Sequence, residues 1–152
     1  DLLITPIQLV NFISSLADGG IMYRPKIVQK ILNQSNEEVF RYQPEKLMDF
    51  SDWSEEIKEV RIGLQDAVSK WYGTANLLSS LPISAAGKTG SAQTTNNTRT
   101  NAFFVGYAPA EEPEIAILVL IENAREGSLN AVPIAKDVLE WYYYNRIMKH
   151  KP

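Results

Sequence analysis

Ala86-Gly87-Lys88-Thr89-Gly90-Ser91-Ala92-Gln93 decides the fold, because the segments that follow it are built to pair with it. It belongs to a small-residue, polar stretch from Ile83 to Thr94 that reads as a strand with glycines inside it. A polar loop from Thr95 to Thr100 follows. Asn101 to Ala108 then alternates Phe103, Val105 and Tyr107 with Ala102, Phe104 and Gly106, so both faces of that strand are covered. Pro109 to Pro113 makes a turn, and Glu114 to Glu122 is a strand apolar on both faces. Asn130, with Pro133 just inside, starts a helix through Val138, Leu139 and Trp141 to about Met148. Three hairpin-linked strands closed by a helix imply an antiparallel sheet packed by helices on both faces, an α/β chain of the α+β type.

Upstream, Thr5 can cap a helix and Pro6 sits where a missing N–H costs nothing. Leu9, Val10, Phe12, Ile13 and Leu16 supply its apolar stripe, and Asp18-Gly19-Gly20 ends it. Pro25 to Leu32 and Glu38 to Tyr42 read as two strands around the polar turn Asn33-Gln34-Ser35-Asn36. A second helix is expected from Ser51 or Asp52 to about Ser69, with Asp52 and Glu55 in capping-box spacing and Ile57, Val60, Leu64 and Val68 buried. Glu55, Glu56 and Lys58 on it read as a solvated face. There is no internal repeat.

Bulk composition excludes several classes. The 152 residues are 45% hydrophobic with a net charge of −3, which suits one cored unit and gives no nucleic-acid footprint. The longest apolar run, Ile115 to Ile121, is strand-sized and far short of the ~20 residues that span a bilayer. There is no cysteine, which removes thiolate nucleophiles, disulfides and zinc–thiolate sites, and the single histidine is His150 in a basic tail. A histidine-based triad or multi-histidine metal site is therefore excluded within the chain. No metal and no cofactor are implied.

What chemistry remains centres on Lys88-Thr89-Gly90. A glycine-rich turn with an exposed lysine would spell the same tripeptide, and the glycine spacing of a phosphate loop is absent. On a strand, Lys88 and Thr89 point to opposite faces, so a site using both lies along an exposed strand edge. There an extended peptide can add to the sheet through backbone hydrogen bonds. Gly90 leaves room for that approach, and the Ser91 N–H is placed as one donor of an oxyanion hole.

This motif, with Asn101 to Ala110, Pro113 to Ile117, Thr5-Pro6-Ile7-Gln8-Leu9, Gly73-Thr74-Ala75 and Leu120 to Asn123, resembles the class B penicillin-binding proteins. The resemblance covers nearly the whole chain, in order and spacing. It is strongest from Gly73 to Asn123 and weak from Asn33 to Phe50. It implies a partial transpeptidase fold of the penicillin-binding-protein and serine β-lactamase type. The chain is then a single fragment, residues 1–152, forming the C-terminal half of that domain. Substrate-binding residues implied are Lys88, Thr89, Gly90 and Ser91. Lys88 supplies positive charge beside the site, the Thr89 hydroxyl meets the carboxylate of peptide or antibiotic, and the Ser91 backbone serves the oxyanion. Ser91 stands where the family more often has Thr, which conserves a hydroxyl. Glu122-Asn123 is more similar to the elongation-type members than to the division-type.

The family's nucleophile is a serine in Ser-x-x-Lys, whose lysine one turn away helps remove the proton. No serine here is followed by lysine at the third position; Ser54 and Ser84 come nearest, with Lys58 and Lys88 four residues on. Ser128-Leu129-Asn130 spells a second family element but follows Lys-Thr-Gly rather than preceding it, and Asn130 reads as a helix cap. The implied function is part of a peptidoglycan D,D-transpeptidase whose serine lies outside this chain. The implied partners are stem peptides and β-lactams. The parent is expected to be membrane-anchored on the extracytoplasmic side, within a cell-wall synthesis complex. A serine β-lactamase or penicillin-sensing receptor shares the same strand, and a non-catalytic module could use the same sheet edge to bind a peptide.

Trp71-Tyr72 reads as an anchor for its loop. Trp141 to Tyr144 cover several faces of the last helix, some against the sheet and others toward absent parts of the parent. In the family the last sheet strand pairs with strands from earlier in the chain. Residues 115–122 would lack that neighbour, so self-association through the open edge is expected.

Overall fold

A computed structural model describes residues 3–93, 99–124 and 126–150. Of the polar loop expected over Thr95 to Thr100, residues 95–98 lie outside the described residues. The twelve-residue helix α1, Pro6–Ala17, opens as its sequence dictates. The Gln8 N–H donates to Thr5 Oγ1 at 3.4 Å, and the Thr5 N–H donates to Gln8 Oε1 at 2.8 Å. Two of the helix's orphan donors are thereby satisfied reciprocally.

Strands β1 (Ile21–Tyr23), β2 (Lys30–Leu32), β3 (Glu38–Arg41) and β4 (Lys46–Asp49) come next. They form two separate antiparallel pairs, β1 with β4 and β2 with β3. Only the end of the strand expected from Pro25 is extended in a ladder, and β1 and β4 were not legible as strands. Nearly every residue here is exposed, so there is no buried face to write an alternating pattern into the sequence. Exposed ion pairs such as Arg24–Glu45, 2.7 Å, decorate this region and add little stability.

Helix α2, Ser54–Ser69, is entered directly from a 3-10 turn, Ser51–Trp53. Helical geometry is thus continuous through Asp52, which caps nothing; the expected Asp52–Glu55 box is absent. Asp49 does that work instead, accepting from the Ser51 N–H at 3.0 Å and the Ser51 hydroxyl at 2.6 Å. Lys46, together with these Ser51 donors, holds the Asp49 carboxyl well below the usual carboxylate range. Ile57, Leu64 and Val68 are buried, but Val60, expected inward, is 47% exposed. At about 100° per residue Val60 sits some 60° off that stripe. It lines an apolar hollow with Phe12, Leu16, Phe50 and Trp53.

The sheet is the antiparallel set β5 (Ala86–Gln93), β6 (Thr100–Ala108) and β7 (Ile115–Ile121), in spatial order β5-β6-β7. Its register pairs Gly87 with Gly106, Lys88 with Val105 and Thr89 with Phe104. One face carries Phe104, Ala108 and Ile117 and packs with Val68, Leu78 and the residues Ala131, Val132, Ala135 and Leu139 of α3. The other carries Ala86, Val105 and Tyr107 and packs on Ile13 and Ala17 of α1 and Leu64 of α2. Helices therefore cover both faces, as expected. The Tyr107 ring is 1% exposed, with the Arg61 guanidinium 5.8 Å from its centre, and among the described residues its hydroxyl has no hydrogen-bond partner. Burial pushes that phenol up, and Arg61 opposes the shift.

Helix α3 runs Gly127–Tyr142 and continues through a wider π turn, Tyr143–Ile147. It starts before Asn130, so Asn130 is not its N-cap. Asn130 lies inside the first turn, and its Oδ1 accepts from the Glu126 N–H at 3.2 Å. The side chain tethers the backbone entering the helix without marking where the helix begins.

Candidate active-site strand

Among the described residues β5 is paired on one side only, so its other edge is free. Cross-strand pairing sorts its side chains. Lys88 shares the face of Val105, toward α1 and α2, while Thr89 and Ser91 share the face of Phe104 and Ala102, toward α3. Lys88, Thr89, Gly90 and Ser91 thus lie consecutively on a free edge, with lysine and threonine on opposite faces. Lys88 is exposed, and its ammonium donates back to the Thr89 carbonyl at 2.8 Å. Among the described residues a side chain at Gly90 would meet only Phe103 Cβ, at 3.5 Å, so the face of the strand that Gly90 shares with Lys88 is open there.

Two contacts tie this strand to elements that local sequence does not connect to it. The Ser91 hydroxyl accepts from the Gly127 N–H at 3.3 Å, placing the start of α3 against the motif. A Cβ at Gly127 would lie 2.3 Å from the Phe103 carbonyl oxygen and 2.8 Å from that of Gly90, so only glycine permits this approach. The Thr89 hydroxyl is 2.7 Å from the Thr74 hydroxyl. In the sequence Thr74 stands out only as part of the Gly73-Thr74-Ala75 stretch. No periodicity or spacing signals a contact across fifteen positions; only the fold brings the pair together.

Other sequence candidates fall away from this edge. Ser84 donates to Glu111 and accepts from the Ala110 N–H at 2.9 Å, which occupies its hydroxyl at the foot of β5. A cleft of about 640 Å³ beside it, lined by Gln65, Ser69, Leu78 and Ser84, includes none of the four motif residues. Trp71 and Tyr72, expected to anchor their loop, are 87% and 66% exposed and pack edge-on against each other. The loop is pinned instead by buried Ala75 and Leu78. Among the described residues no three His, Cys, Asp or Glu side chains cluster as metal ligands would.

Residues 2–140 match the family model of the penicillin binding protein transpeptidase domain. The chain belongs to this family. Penicillin-binding protein 2A of Bacillus subtilis is 31% identical over 91% of this chain and 22% of its own length. The peptidoglycan D,D-transpeptidase MrdA of Haemophilus influenzae is 26% identical over 94% of the chain and 24% of its own length. This chain therefore spans about a quarter or less of those curated relatives. The solved D,D-transpeptidase domain of a peptidoglycan glycosyltransferase from Eggerthella lenta superposes with a TM-score of 0.76 at 30% identity. That match covers 89% of this chain and 31% of the other. Penicillin-binding protein A of Mycobacterium tuberculosis, in its ceftriaxone acyl-enzyme complex, reaches a TM-score of 0.81 at 23% identity over 92% and 32% of the two chains, a likeness of fold alone. The mixed helix and antiparallel sheet is thus a transpeptidase-domain fold of the penicillin-binding proteins.

Proposed function

We propose that this chain is the C-terminal half of a D,D-transpeptidase domain, supplying the binding wall of a site whose nucleophilic serine lies in another part of the protein. The observation that carries the reading is the free edge of β5, with Lys88 and Thr89 on its two faces and Gly90 open to approach. A stem peptide ending in D-Ala-D-Ala would add to this edge as an extended strand. The serine oxygen attacks the carbonyl carbon between the two D-alanines, with the Ser91 N–H as one donor to the developing oxyanion. The C–N bond breaks, terminal D-alanine leaves as the amine, and an ester to serine remains. An amine from a neighbouring stem peptide then attacks the ester, forming the cross-link and returning the serine hydroxyl. Lys88 contributes positive charge, and the Thr89 hydroxyl receives the substrate's terminal carboxylate. A β-lactam would take the same position and stop at the acyl-enzyme.

The names of MrdA-type relatives and Glu122-Asn123 after β7 favour the elongation-type group. We place the whole protein on the extracytoplasmic face of the membrane, anchored outside this segment and within a cell-wall synthesis complex; no described helix is long and apolar enough to cross a bilayer.

Fluorescent penicillin followed by a denaturing gel tests the reading. The 152-residue chain should remain unlabelled, having no Ser-x-x-Lys. The same chain within its full transpeptidase should carry a stable label. A labelled isolated chain would overturn the division of the site between segments. Among the described residues the edge of β7 also lacks a partner in the sheet, and we expect the isolated chain to self-associate through it. Light scattering at high concentration should show species larger than a monomer, and a monodisperse monomer would refute this.

A further inference from the structure

We propose that Thr74 is a positioning residue for the carboxylate-binding hydroxyl of Thr89, an inference that rests on the transpeptidase reading above. The two hydroxyl oxygens are 2.7 Å apart and share one hydrogen bond, in which either group can donate. That symmetry ends when an anion arrives. A carboxylate accepts only, so Thr89 must turn its O–H toward it. The bond between the threonines survives if Thr74 becomes the donor. The result is a chain, Thr74 to Thr89 to carboxylate, in which each bond polarises the next and Thr89 becomes the stronger donor. Removing the Thr74 hydroxyl cuts this chain and takes from Thr89 the donor that would hold its lone pair.

The loop that carries Thr74 is built to hold it there. A Cβ at Gly73 would lie 2.2 Å from the Ala67 carbonyl oxygen, so the backbone is pressed onto the end of α2. The Ala75 N–H donates to that same oxygen at 3.0 Å, and Asn76 Nδ2 donates to the Val68 carbonyl at 3.0 Å. Ala75 on one side of Thr74 is fully buried, at 0% exposed. Thr74 itself is exposed, so its hydroxyl is held in place by the backbone beneath it and is not part of the core. Because the side chain is exposed, Thr74→Val removes the hydroxyl and keeps the shape with little strain on the fold.

The experiment compares acylation rates of the full transpeptidase and its Thr74→Val and Thr74→Ser variants. Two probes are used: a fluorescent penicillin with its free carboxylate, and the methyl ester of the same compound. Losing one hydrogen bond to a group that recognises an anion corresponds to roughly a tenfold loss. With the free carboxylate, Thr74→Val should be slowed about tenfold and Thr74→Ser should stay within about twofold of wild type. With the ester the three proteins should react alike. Equal slowing of Thr74→Val with both probes, or a serine variant as slow as the valine one, would mean a merely structural role and overturn the proposal. An unaffected Thr74→Val would do the same. Wild type that takes up neither probe would instead overturn the transpeptidase reading, and this proposal with it. Thermal unfolding midpoints of the variants should match wild type; a fall in Thr74→Val would again assign the residue to the fold.

Discussion

Phe104→Ala should destabilise the chain by about 4 kcal/mol, the middle of the range for a buried aromatic truncated to alanine. The ring is fully buried at the centre of β6. Beneath it lie two glycines that face each other across the sheet, Gly87 and Gly106. A Cβ at Gly87 would come within 2.6 Å of Phe104 Cζ, and one at Gly106 within 2.8 Å. The ring therefore fills the space that two absent side chains leave, and its removal opens that space as a cavity. Neighbours cannot close it cheaply. Side chains at those glycines are also barred by backbone: the Ala86 oxygen is 2.4 Å from a Cβ at Gly106, and the Val105 oxygen is 2.7 Å from one at Gly87. Urea unfolding should show a lower midpoint with an unchanged slope, since the surface exposed on unfolding is nearly the same. A loss under 1.5 kcal/mol would mean that the core repacks as a volume-conserving swap does. Gly87 immediately precedes Lys88, so the edge strand should loosen together with the core.

The opposite division of effects is expected at Lys88. Lys88→Ala in the full transpeptidase should slow acylation by penicillin by about a hundredfold or more, the usual scale for removing a preorganised electrostatic group from an acyl-transfer site. Stability should hardly change. The side chain is exposed, and its ammonium bonds only back to the adjacent Thr89 carbonyl among the described residues. Stopped-flow labelling and a melting curve on the same sample separate the two outcomes. A variant that acylates within threefold of wild type would remove Lys88 from the site. One that melts early would show that the lysine serves the strand and not the reaction.

Much of the sheet and its motif is legible in the amino-acid sequence, for a physical reason. Burial on both faces forces large apolar residues onto consecutive positions of β6 and β7, and a strand that has to accept a second backbone at its edge has to be small. These constraints act between neighbours in the chain, so they leave a local pattern. Helix α1 is legible on the same grounds, since the Thr5 cap, Pro6 and the apolar stripe from Leu9 to Leu16 all act within a few turns. Where a constraint acts through solvent, the pattern fades. β1 and β4 pair with almost nothing to bury, and α2 begins wherever the 3-10 turn after Asp49 delivers it.

The site divides along the same line. Alternation along a strand sends Lys88 and Thr89 to opposite faces, and the residue types present limit the chemistry to lysine, hydroxyls, carboxylates and backbone. Which hydroxyl partners Thr89, and what packs on Ser91, depend on how the end of α2 and the start of α3 are carried onto β5. Gly73 and Gly127 are the residues that allow those approaches, yet each is only a glycine until the carbonyl it makes room for is known. Contacts between residues far apart in the chain, here Thr74 with Thr89 and Ser91 with Gly127, have no period and no fixed spacing. They exist because a packed sheet and its helices meet at distances that chain order does not encode.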